Sequence, residues 1–145
     1  MSREVMMLFC IAFSLFLMQA IGGYFQIRDY KKAVKRIHKL GNVGIGQTKG
    51  GLFTGNLVLV ACDNSGTITG AEVMEGMTFL AHFKPQEAYR GKVLAGSSIY
   101  TFLKEFSEYS SKEYKRNKGY IQAMEALALR LNGSQQGENL TGIRE

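Results

Sequence analysis

The stretch "GNVGIGQTKGG", Gly41 to Gly51, sets five glycines and a lysine in eleven residues. Its reading separates a nucleotide-binding α/β fold from an α+β fold. A P-loop needs G-x-x-x-x-G-K-S/T after a strand and before a helix. Here Gly41 and Gly46 are followed by Gln47-Thr48, and Lys49 comes too late. A dinucleotide fingerprint fails as well, because Gly44-Ile45-Gly46 is followed three residues later by Lys49 rather than glycine. The flanking patterns also run in the wrong order, helix before and strands after. The glycines therefore read as a helix stop at Gly41, then alternating glycines in a first strand that another backbone or side chain passes closely. Gly50-Gly51 reads as the next turn.

Upstream, "VMMLFCIAFSLFLMQAIGGYF", Val5 to Phe25, carries no charge over 21 residues. A hydrocarbon core of about 30 Å needs about 20 such residues at about 1.5 Å rise each. A cleaved signal peptide fits less well: Arg3 is offset by Glu4, the apolar run is long, and Met18 sits at the minus-three position of the nearest small-residue site before Ile21. A core helix of that length would need a larger protein around it. Residues 1–25 are thus expected to form a membrane anchor.

The formal net charge of +6 is concentrated beside that segment. Arg28, Lys31, Lys32, Lys35, Arg36 and Lys39 face only Asp29, whereas Gly41–Glu145 holds 11 basic and 10 acidic residues. Basic flanks are cytoplasmic ones, which places the amino terminus outside and the rest of the chain in the cytosol. These six side chains are the candidate contacts for membrane phosphates, ahead of DNA phosphates. Ile27, Tyr30, Val34, Ile37 and Leu40 recur three or four apart between them, so residues 26–40 read as a basic amphipathic helix. Its apolar stripe calls for a partner, either the following sheet or a second copy of the chain, which would make a homo-oligomer.

From Val43 the period changes to two. "NLVLVACD" (56–63) reads as a strand, "DNSG" (63–66) as a turn, "TITGAEVME" (67–75) as the returning strand and "MTFLAHF" (77–83) as a third. Gly76 marks a bulge or tight turn, and Pro85 ends the meander. Residues 86–98 carry no clear pattern. Ser97-Ser98 opens a helix through Ile99, Phe102, Leu103 and Phe106. "SSKEYKRNK" (110–118) reads as solvated loop or helix end. In "YIQAMEALALRLNG" (120–133), Ile121, Met124, Leu127, Ala128 and Leu131 make one apolar face, with Gly133 as the stop. The polar residues 133–145 read as a disordered tail. The expected fold class is α+β: a single transmembrane helix continuing into the basic helix, then a small domain over 41–132 with an antiparallel β-meander and a C-terminal helix.

Catalytic signatures are missing: there is no G-x-S-x-G elbow and no H-E-x-x-H, and Cys62 and His82 are a pair only if the sheet brings them together. Asp63, Glu72 and Glu75 read as turn and solubility residues. Cys10 and Cys62, with His38 and His82, lack metal-ligand spacing, so neither a metal nor a cofactor is expected. The sequons at Asn132 and Asn139 are inert on a cytosolic domain. Lys112, Lys115, Arg116 and Lys118 form a second basic cluster, read as a solvated face, and no DNA-reading module is present.

The order of these motifs resembles the glucitol (sorbitol) operon activator proteins, also called transcriptional regulator GutM. The resemblance lies in the apolar helix leading to Phe25-Gln26-Ile27 and Tyr30, then Gly41-x-Val43-Gly44-x-Gly46, Gly50-Gly51, Val58 to Ala61, Asp63, and "MEGMTFLAHF" with Gly76, Thr78, Phe79 and Ala81. It runs from about Gly22 to Pro85, with a weaker echo over Ala123 to Leu131 and departures between Gln86 and Lys118 and in the tail. It implies a bacterial accessory activator, not an enzyme, for genes of sugar-alcohol uptake by a phosphotransferase system. A membrane-tied activator without a reading helix is expected to work through a protein partner, either an operon regulator or the sugar permease. Gly41, Val43, Gly44, Gly46, Gly50, Gly51 and Gly76 then form a candidate partner surface. Direct DNA contact through Arg28 to Lys39, a purely structural role in permease assembly, and a phosphate site at Lys49 are the competing readings.

Overall fold

The computed structural model describes residues 2–50, 55–76 and 81–141. Helix α1, Arg3–His38, is 36 residues long without a break, about 54 Å at 1.5 Å per residue. Ser2 caps it by accepting from the Val5 N–H at 3.4 Å. The chain leaves the helix through Lys39 and Leu40, then Gly41 at φ +139°. A side chain at Gly41 would strike the Cys62 carbonyl, so the expected glycine stop has two reasons, conformation and close approach.

A four-stranded antiparallel sheet follows in the order β1 (Asn42–Thr48), β2 (Asn56–Cys62), β3 (Ile68–Glu75), β4 (Phe83–Pro85). Each strand returns beside the last: Ile45 pairs with Leu59, Val60 with Ala71, and Met74 with Phe83. The β2–β3 turn is held by Asp63, whose Oδ1 accepts from the N–H groups of Ser65 and Thr67 at 2.9 and 3.0 Å, with Gly66 at φ +88°. The Ser65 hydroxyl leads the contacts that hold the Asp63 carboxyl below its usual range. Gly76 closes β3 at φ +79°, its N–H donating to the Gly55 carbonyl, which makes it the tight turn. The bulge lies elsewhere, at Ala61/Cys62. The third strand falls later than expected: β4 begins at Phe83, Ala81 and His82 before it are not in a strand, and residues 77–80, with Thr78 and Phe79, lie outside the described residues, as does Gly51.

Strand β2 is buried continuously from Val58 to Cys62. Both faces of the sheet are therefore covered, and the domain has three layers. Leu59, Ala61, Met74 and Phe83 pack against Ala33 and Ile37 of α1, while Val58, Val60, Cys62, Ile68, Ala71 and Val73 pack against the later helices. The stripe on α1 thus finds its partner in the sheet: Tyr30, Val34 and Ile37 are on it, whereas Ile27 and Leu40 stay exposed and Ala33 joins it.

Residues 86–98, without a legible pattern, hold a small hairpin of β5 (Ala88–Tyr89) and β6 (Lys92–Val93). Its two turn residues, Arg90 and Gly91, both have positive φ, at 50° and 78°, as a type I′ turn requires. Helix α2 (Ile99–Ser107) is capped by Ser98, as expected, and buries Ile99, Phe102 and Phe106. The "SSKEYKRNK" stretch is not a loop but a short helix, α3 (Ser111–Arg116), opened by a capping box between Ser110 and Glu113. Tyr89 anchors the hairpin: it stacks on Tyr120 at 4.1 Å and donates its hydroxyl to Asn117 Oδ1 at 2.5 Å. Burial pushes the Tyr120 hydroxyl up to about 12.

Helix α4, Lys118–Thr141, carries the expected apolar face with Ile121, Met124, Leu127 and Leu131 buried. It does not stop at Gly133, and the stretch expected as a disordered tail is helical as far as Thr141. Gly133 keeps ordinary helical φ and has open space around it, so a glycine there weakens the helix without ending it.

Candidate functional site

The site is assembled from the basic half of α1 and the glycine strand β1. Along α1 and its C-cap, Arg28, Lys31, Lys32, Lys35 and Lys39 recur mostly three or four apart on the face opposite Ala33 and Ile37. All five are exposed, and none has an ion-pair partner among the described residues.

Arg36 leaves that set. It lies on the flank of α1 and grips Glu72 of β3 with two bonds, Nη2 to Oε1 at 2.7 Å and Nε to Oε2 at 3.3 Å. Glu72, expected as a solubility residue, is only 4% exposed. A buried carboxylate without a partner would be costly, so Arg36 is committed to holding α1 on the sheet. The Glu72 bond in turn pushes the guanidinium further up. Asp29 works in the same way from the other end. Its Oδ2 accepts from the Phe83 N–H at 2.9 Å and lies 3.9 Å from His82 Nδ1, while Tyr30 rests against the Phe83 ring. A third clamp is the Thr69 hydroxyl, which donates to the Leu40 carbonyl at 2.8 Å. The six-residue basic patch is therefore five free cations and one docking residue.

The glycines of β1 meet a backbone. A Cβ at Gly44 would strike the Ala123 carbonyl oxygen, and one at Gly46 the Gly119 carbonyl oxygen, both on α4. Gly119 is itself hemmed in by Asn56, Val58 and Thr48, and its N–H donates to Thr48 Oγ1 at 2.7 Å. The outer edge of β1 is also engaged: the Gln47 N–H donates to Gln122 Oε1 at 3.1 Å, and Arg130 reaches the Val43 carbonyl at 3.4 Å. Val43 turns the other way, into the core under α1. Gly41 and Gly76 sit at turns and Gly50 is exposed just past β1. So the strand glycines let α4 pass at backbone distance, and α4 covers the edge that a partner strand would use.

The remaining candidates are scattered. Lys49 is exposed beyond the end of β1. Cys62 is fully buried on the α4 side, where burial pushes its thiol up, whereas His82 lies beside Asp29 on the α1 side. The sheet therefore keeps Cys62 and His82 on opposite faces. Lys112, Lys115 and Arg116 ride on α3, exposed. Among the described residues, no group of three or more His, Cys, Asp or Glu side chains stands together. The most apolar part of α1 is long enough to cross a membrane, with mean hydropathy 2.2, and none of it is buried in the protein.

The family model described as glucitol operon activator protein (GutM) matches residues 7–106. The match reaches from inside the apolar part of α1 to the last buried residue of α2. It is longer in both directions than the resemblance legible by eye, and it includes much of the segment after Gln86 that looked divergent. The echo over Ala123 to Leu131 lies outside it. No curated protein and no solved structure matches the chain.

Proposed function

The chain belongs to the GutM family of glucitol operon activator proteins, and from that premise we propose that it is a membrane-anchored accessory activator of a sugar-alcohol phosphotransferase operon in a bacterium. The family name speaks for a regulator rather than an enzyme. The apolar part of α1 crosses the inner membrane once, and the sheet domain lies in the cytoplasm. Supporting the orientation is the row of free cations directly after the apolar stretch, which the positive-inside rule keeps on the cytoplasmic side.

Activation runs through a protein partner, an operon regulator or the permease itself. The observation that carries this is the engagement of the domain's helices: α2 and α4 bury their apolar faces against the sheet, and α3, of six residues, is too short to read a groove. The free cations of α1 lie where lipid headgroups would compete with DNA for them. The test is genetic. Deleting the gene is expected to lower operon transcript, and supplying the permease from a foreign promoter is expected to restore sugar-alcohol uptake. Normal transcript with a persisting uptake defect would instead assign the chain to permease assembly. Salt-resistant, sequence-selective retention of promoter DNA by the full chain in nanodiscs would replace the partner with direct binding.

A further inference from the structure

At the base of the apolar part of α1 a groove of about 510 Å³ opens between the helix and His82, just before β4. Met18, Ile21 and Phe25 line one end of it, and Arg28, Lys32 and His82 the other. We propose that this groove seats one anionic glycerophospholipid, its phosphodiester against Arg28, Lys32 and His82 and its acyl chain along Met18, Ile21 and Phe25.

Three observations support that occupant. The first is polarity along one axis: from Met18 to Lys32 the helix rises about 21 Å, apolar first and cationic last. An amphiphile oriented with the bilayer presents that order, and a free phosphate would have no use for the apolar end. The second is charge. Arg28 and Lys32 have no ion-pair partner among the described residues, and Asp29, which also lines the groove, spends its Oδ2 on the Phe83 N–H near His82. Two cations beside one carboxylate leave a net charge of +1 with the histidine neutral, matching a single phosphodiester. A zwitterionic headgroup would add a cation to a site already positive. The third is construction. His82 comes from the sheet domain and is brought to the helix by the Asp29–Phe83 bond, so the pocket has a wall that the groove at Lys35, lined by helix residues alone, lacks. Bound lipid would then bridge span and domain, and fix the domain at the membrane surface.

The inference rests on α1 being a membrane helix and not on any role in transcription, so it fails or stands independently of the regulatory reading. The full chain in detergent is titrated with phosphatidylglycerol and, separately, phosphatidylcholine, and bound lipid is counted by native mass spectrometry. One phosphatidylglycerol per chain is expected to saturate well before phosphatidylcholine binds. Arg28→Gln with Lys32→Gln should weaken it about tenfold or more, whereas Lys35→Gln with Lys39→Gln, an equal loss of charge outside the groove, should change it less than about twofold. Phe25→Ser tests the same groove through the tail, without touching charge, and should also weaken binding. Equal losses in the two charge pairs, no preference over phosphatidylcholine, unchanged binding in Phe25→Ser, or displacement by free glycerol phosphate would each overturn the site.

Discussion

A methyl group at Gly46 would stand inside the contact radius of the Gly119 carbonyl oxygen, and one at Gly44 would do the same at Ala123. Backbone cannot rotate out of the way as a side chain can, so Gly46→Ala must push α4 off β1. We expect a loss of about 1–3 kcal/mol, the usual range for overpacking, read as a lower thermal midpoint for the full chain in detergent. Gly133→Ala should do the opposite: it lies in a helix interior with open space around it, and replacing glycine there adds about 0.5–1 kcal/mol. The alternation of glycines in β1 was enough to foresee a close approach. What approaches was not legible, because a missing side chain says that something passes and not which element it is. Gly119, the other half of the contact, stands alone just before the apolar face of α4, with no alternation to mark it.

The span and the sheet domain are joined through α1, which belongs to both. Its apolar stripe was visible in the spacing of Tyr30, Val34 and Ile37, but a stripe fits any apolar partner, and the choice between sheet and second copy fell to packing. Arg36 illustrates the same limit. It sits in the basic run with nothing local to set it apart, and its partner Glu72 lies 36 residues away on β3. Arg36→Leu should therefore do more than remove a surface charge, since it leaves a carboxylate that is 4% exposed without its partner. The guanidinium is half exposed, with 51% of its side-chain surface open, so the pair is worth less than one sealed in a core, and about 1–3 kcal/mol is the expected loss. Adding Glu72→Leu should recover part of that loss, because no charge then remains buried. A double-mutant cycle by denaturation checks this, and strict additivity would mean that the pair does not clamp α1. For α3 the local signal was present and passed over: Ser110-x-x-Glu113 spells a capping box, and the structure forms both of its bonds.

Taken whole, the molecule is a long helix whose second half lies with one face on the sheet, as the outer layer of a three-layer domain. If the cations after Phe25 set its orientation, a fluorescent protein at the carboxy terminus should be bright and an alkaline phosphatase there inactive. Replacing Arg28, Lys31, Lys32, Lys35 and Lys39 by glutamine should weaken that preference, and a periplasmic carboxy terminus in the unaltered chain would end the regulatory reading. The long uncharged run, the basic flank, the change of period after Gly41 and the apolar face of α4 are properties of neighbouring residues, and the chain displays them before it folds. They were sufficient for the α+β class, for the succession of long helix, meander and late apolar helix, and for the family, but not for the β5–β6 hairpin or α3. The clamps of Arg36 on Glu72 and Asp29 on Phe83, the closing of β1 by α4 through Gln47 and Gln122, 75 residues apart, and the groove at His82 arise only when distant segments meet. Local spacing records which face of an element is apolar or bare, but the identity of whatever covers that face depends on long-range packing, which no local period encodes.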